Sequence, residues 1–139
     1  MKEKVYILTP VEKQRLSGRL AVLLGACPEV IFAYVYGSFL EDIPCHDIDL
    51  GVYVTGVKRA KTILHGVDLA GSFSRELGIP VDVRILNYAP NSFVYRVIRG
   101  KLILDNNPEV RSRVVEETIK HYLDLKPLRF RAIREAFAA

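Results

Sequence analysis

The sequence predicts an α+β domain: a small mixed β-sheet with helices packed on it and a helical carboxyl-terminal segment. Three observations lead there. Short β-branched and aromatic runs are interleaved with stretches of helical apolar spacing. The first two strand-like runs are joined by a polar, proline-containing connection too short for an ordinary helical crossover, which allows an antiparallel pair. After residue 106 only a helical pattern remains.

Thr9 and Pro10 open the first element, a capping side chain followed by a first-turn proline. Leu16, Leu20, Leu23 and Leu24 then recur at helical spacing, so a helix is expected over roughly 10–26, ended by Pro28. Residues 30–36, VIFAYVY, are β-branched and aromatic without alternation and stop at Gly37, the pattern of a strand buried on both faces. Tyr34 and Tyr36 are therefore expected in the core. Ile48 to Val54 reads as a second strand. A helix follows over roughly 58–77, with Ile63, Val67, Ala70, Phe73 and Leu77 as its apolar side and Gly78 as its stop. Val81 to Leu86 makes a third strand. Ala89-Pro90-Asn91 opens a short helix closed by Gly100, and Lys101 to Asp105 is a short edge strand.

Asn107-Pro108-Glu109 combines a capping side chain, a proline and a first-turn acid, a strong helix start. Val115, Ile119 and Tyr122 share a face of that last helix, and Pro127 is expected to kink or interrupt it. Residues 1–106 then form the core and 107–139 a helical extension, either part of the same domain or a partner-docking segment. Phe130, Ile133 and Phe137 repeat beside Lys126, Arg129, Arg131 and Arg134, an apolar face that must bury somewhere.

Bulk composition narrows the class. With 139 residues, 50% hydrophobic and 26% charged, the chain is long and apolar enough for one globular core. No apolar run approaches a membrane span, and the opening MKEKVYILTPVEKQR lacks a signal-peptide core, so a cytoplasmic location is expected. Cys27 and Cys45 form no CxxC and suggest neither zinc nor a disulfide framework. The net charge of +4 is mild, and no recognisable nucleic-acid motif accompanies it. Whether the chain forms an oligomer stays open. His46, His65 and His121 are expected as loop or helix-surface residues.

The acidic residues carry the chemistry. Side chains at i and i+2 of a strand share a face, so Asp47 and Asp49 project side by side if the second strand starts that early. Two carboxylates that close repel, and a divalent cation relieves the repulsion. Hard carboxylate oxygens suit Mg²⁺ better than zinc. Asp82 can reach the same face from a neighbouring strand. Three carboxylates around one or two metal ions are the apparatus of in-line displacement at phosphorus. Gly37 and Ser38 bring the complement: close backbone approach to a phosphate, an N–H and a hydroxyl.

The order of strand, Gly37-Ser38, loop, Asp47-x-Asp49 and a later strand with Asp82 resembles the minimal nucleotidyltransferases (MNT) of the DNA polymerase β superfamily, and in particular the MNT antitoxins paired with HEPN toxins. The resemblance covers about residues 30–105. It implies Mg²⁺-dependent transfer of a nucleoside monophosphate, AMP from ATP, to a hydroxyl, with a HEPN toxin tyrosine as acceptor. Asp47, Asp49 and Asp82 would be catalytic and hold metal, and Gly37 and Ser38 would hold the nucleotide. The alternative it leaves is a catalytically weak antitoxin that acts by occlusion. Two features depart from the pattern: the Ser38–Asp47 interval is shorter than usual, and Phe39-Leu40-Glu41-Asp42 stands where a basic residue is common.

Overall fold

The computed structural model describes residues 4–136, without the side chains of Lys126 and Arg129. The chain runs α1 (Pro10–Gly25), β1 (Val30–Tyr36), β2 (Ile48–Val54), α2 (Thr62–Leu77), β3 (Val81–Ile85), α3 (Asn91–Ile98), β4 (Lys101–Asp105) and α4 (Pro108–Ala136). Short 3₁₀ turns at Ser38–Leu40 and Arg59–Lys61 follow β1 and precede α2. The strands form one mixed sheet in the order β3-β2-β1-β4. β1 is antiparallel to both β2 and β4, whereas β2 and β3 are parallel.

Burial explains the order. Six of the seven β1 residues are buried, and only Ile31 is half-buried, so this strand occupies the middle of the sheet. One face is closed by α1 and α2: Leu16, Leu20 and Leu24 pack with Val35, Leu50, Phe73 and Val83. The other face holds Phe32, Tyr34 and Tyr36 against Val94 and Val97 of α3, with Val114 of α4 alongside. Thr9 caps α1 as expected, in a reciprocal box with Glu12. Asn107 caps α4 in one direction only, accepting from the Val110 N–H at 3.2 Å.

Four expectations need correction. The buried side of α2 is Gly66, Leu69, Phe73 and Leu77. Ile63 and Val67 are 84% and 61% exposed instead. The cause is Gly66: a Cβ there would stand 2.9 Å from the Val83 carbonyl oxygen, so the helix settles backbone-first onto β3 and rotates its first apolar turn outward. On α4 the buried residue is Thr118, whose hydroxyl donates to the Val114 carbonyl, while Ile119 is exposed. That helix also runs through Pro127 to Ala136 without interruption. Phe137 lies outside the described residues, as do the side chains of Lys126 and Arg129. His65 is not a surface residue: it is half-buried, with Nε2 3.5 Å from the Glu29 carboxylate. Among the described residues no helix is long and apolar enough to cross a membrane.

Candidate active site

Every residue singled out for chemistry lies at one end of the sheet. β1 delivers Gly37 at its carboxyl end, while β2 and β3 begin beside it. The strand pairing places Asp49 opposite Tyr36 on one side and opposite Asp82 on the other. Asp47 precedes β2 by one residue, so the strand does not start early enough to include it. Its carboxylate nevertheless lies near enough to Asp49 to raise that residue's pKa.

Gly37 is held at φ +84, where a side chain is strained. It is also crowded: a Cβ would stand 2.6 Å from Asp49 Oδ2. The glycine thus turns the chain and opens the space over the carboxylate. Ser38 begins the following 3₁₀ turn.

The electrostatics of Asp49 follow from its neighbours. Burial raises its pKa, and the Asp47 and Asp82 carboxylates raise it further, to about 6; Arg96 opposes them. Burial, Asp49 and Asp82 likewise push the Tyr36 phenol up to about 12. A protein site that forces protons onto its own carboxyls lacks positive charge. The donors are hard oxygens beside a glycine-cleared space, which fits a hard divalent cation. Among the described residues no three donor side chains converge into a ready ligand set. Asp82 is paired with Arg84, its Oδ2 lying 3.3 Å from Arg84 Nε. The fit is therefore to the Asp47–Asp49 pair, with Asp82 one strand away and tied up by Arg84.

Sequence reading missed several groups that shape this end. Arg96 of α3 sits 5.5 Å over the Tyr36 ring, beside Asp49. Lys13 of α1 reaches the 37–47 loop, donating to the Glu41 carbonyl at 2.6 Å and lying 5.7 Å from the Phe39 ring centre. The amino-terminal arm fastens the same loop: Tyr6 and Cys45 exchange backbone hydrogen bonds of 2.8 and 3.0 Å. His46 Nδ1 lies 3.0 Å from the Lys4 carbonyl, so the loop histidine is engaged by the arm. No local motif announces these contacts, since each joins residues distant in sequence.

A mixed sheet with helices on both faces and carboxylates gathered at its strand ends defines a nucleotidyltransferase domain. The chain belongs to the family described as Polymerase beta, Nucleotidyltransferase, whose model matches residues 20–109 and so spans all four strands. A search of curated proteins returned no match. Among solved structures, the fold is similar to a chain of the tri-AMPylated Shewanella oneidensis HEPN toxin in complex with MNT antitoxin. The identity is 21%, over 91% of this chain and 99% of that one, with a TM-score of 0.69. It is similar also to a chain of the toxin–antitoxin MntA-HepT, at 20% identity over 90% and 99%, with a TM-score of 0.68. A third similar structure is a toxin–antitoxin with AMP-PNP: 20% identity, 88% and 98% covered, TM-score 0.70.

Proposed function

We propose that this chain is an Mg²⁺-dependent nucleotidyltransferase that moves AMP from ATP to a tyrosine hydroxyl of a HEPN-type toxin, acting in the cytoplasm as its antitoxin. The observation that carries the reading is the in-register placement of Asp49 and Asp82 beside Asp47 and the Gly37 turn. Its support from comparison is the chemistry of the similar structures, a tri-AMPylated HEPN toxin with its MNT antitoxin and a toxin–antitoxin with AMP-PNP.

Asp47 and Asp49 would hold the cation, with Asp82 joining once Arg84 lets go. Bound there, Mg²⁺ supplies charge neutralisation for the phosphates. The Gly37 and Ser38 N–H groups and the Ser38 hydroxyl hold the outer phosphates. The acceptor oxygen attacks the α-phosphorus, the α–β bridging P–O bond breaks and pyrophosphate leaves. Asp82 receives the hydroxyl proton. In this reading residues 1–106 make the catalytic core. The part of α4 beyond Tyr122, with Leu123, Leu128 and Ile133 each more than half exposed, docks the toxin.

One observation favours the second reading, occlusion without efficient transfer: the third carboxylate, Asp82, is engaged in an ion pair with Arg84. Incubating the chain with α-³²P-ATP, Mg²⁺ and a HEPN-type partner protein separates the two. Transfer predicts a labelled tyrosine on the partner, lost in an Asp47→Asn/Asp49→Asn variant. A partner that is bound and silenced but unlabelled supports occlusion.

A further inference from the structure

An open groove of about 680 Å³ lies along the outer side of β3, between α2 and the start of α3. Asp82 stands in its wall, with Arg59, Ile63, Val67, Tyr88 and Phe93 around it. We infer that this groove seats the acceptor: a polypeptide segment that presents a tyrosine flanked by apolar and acidic side chains. The inference rests on the nucleotidyl-transfer reading and adds the place and chemistry of the acceptor.

The order of the sheet supplies the direction. At the site end, the Gly37–Ser38 turn, the Asp47–Asp49 pair and Asp82 follow one another across β1, β2 and β3. Entering and leaving oxygens lie on opposite sides of the reacting phosphorus. With the outer phosphates at Gly37–Ser38 and the α-phosphorus at Asp47–Asp49, the entering hydroxyl comes from the β3 side. The groove is what lies there. A hydroxyl entering from the groove must reach past one strand, about 4.8 Å. A phenol on a peptide held in the groove spans that distance, whereas a serine hydroxyl ends close to its own backbone.

The lining selects the same class. Ile63, Val67 and Tyr88 are 84%, 61% and 51% exposed, a contiguous apolar rim of the kind that marks an interaction surface. Tyr88 and Phe93 offer ring faces and edges to an aromatic side chain. The only acid in the lining, Asp82, is paired with Arg84. Arg59 lies 5.3 Å over the Tyr88 ring, and Lys58 and Lys61 flank it, all exposed, so the mouth is cationic. Acidic side chains beside the tyrosine complement it. A sugar or other small polyol would instead need a polar lining.

The test uses the full chain, labelled with ¹⁵N, and two probes followed by amide chemical shifts. One probe is the blocked peptide Ac-Glu-Leu-Tyr-Leu-Glu-NH₂; the other is AMP-PNP with Mg²⁺. The peptide should move the amides of Ile63, Val67, Arg84, Tyr88 and Phe93 and leave Gly37 and Ser38 in place. Arg59→Glu should weaken that peptide about tenfold by placing like charges together, and a peptide with Lys in place of both Glu should recover the loss. The variant's spectrum confirms its fold, because Arg59 is exposed. Peptide shifts elsewhere, or none at millimolar peptide, overturn the inference. So does movement of Tyr88 and Phe93 by AMP-PNP alone, which would make the groove a nucleobase seat. Failure of the underlying reading shows separately: AMP-PNP with Mg²⁺ would then leave Gly37, Ser38 and Asp49 unmoved, whatever the peptide does.

Discussion

The carboxyl of Asp49 concentrates the electrostatic conflict of the site, and its consequence for stability has the opposite sign to that of a salt-bridged aspartate. Its folded-state pKa is raised to about 6 from an ordinary 3.8. The folded chain therefore binds the proton more tightly than the unfolded chain. The contribution of Asp49 to stability is highest below pH 4, falls as pH rises toward 6 and is level above that. Asp49→Asn removes the conflict. In EDTA at pH 7 the variant should melt above the parent, with a gain of about 1 kcal/mol after screening at this half-exposed site. The two should converge near pH 4. A variant that melts below the parent at pH 7 would make the carboxylate structural. The five candidate residues were legible in the sequence because Gly37-Ser38, Asp47-x-Asp49 and Asp82 are tied to strand ends. Arg96, Lys13 and the Asp82–Arg84 pairing concern side-chain direction and distant contacts, which a linear pattern does not carry.

At the level of elements, strand identity was read well because β-branched runs bounded by Gly and Pro leave little choice of period. β2 begins and ends where its pattern does, at Ile48 and Val54. Helix rotation was read less well. In α2 the stripe beginning at Ile63 and Val67 competes with the one through Gly66 and Leu69, and a glycine that acts by absence of bulk has no weight in an apolar pattern. Pro127 shows a related limit: the missing N–H leaves the Leu123 carbonyl without its helical partner, yet the helix continues. Removing residues from Pro127 onward tests what that last stretch does. The truncated chain should keep its melting transition, because Leu128 and Ile133 are 60% and 56% exposed and contribute little to the core. It should lose most of its affinity for a HEPN-type partner in a pull-down. An unfolded product would show instead that the stretch seals the domain.

For the whole molecule, the sheet order puts catalytic candidates from three strands at one end of the sheet while both faces are closed by helices. Ligand binding there should be felt globally. AMP-PNP with Mg²⁺ at a hundred times its Kd should add about 2.7 kcal/mol of stability. Asp47→Asn/Asp49→Asn should show no such gain; a rise equal to that of the parent would move the nucleotide away from these acids. The tether of the amino-terminal arm has a use of its own. Cys45 is 1% exposed beneath the Tyr6 bridge, and burial raises its thiol pKa, so it stays protonated and shielded while the arm is closed. Cys27, half-buried at the other end of β1, serves as an internal standard. The ratio of their alkylation rates by iodoacetamide becomes a clock for lifting of the arm, and a nucleotide that tightens the 37–47 loop should slow that clock at Cys45 alone.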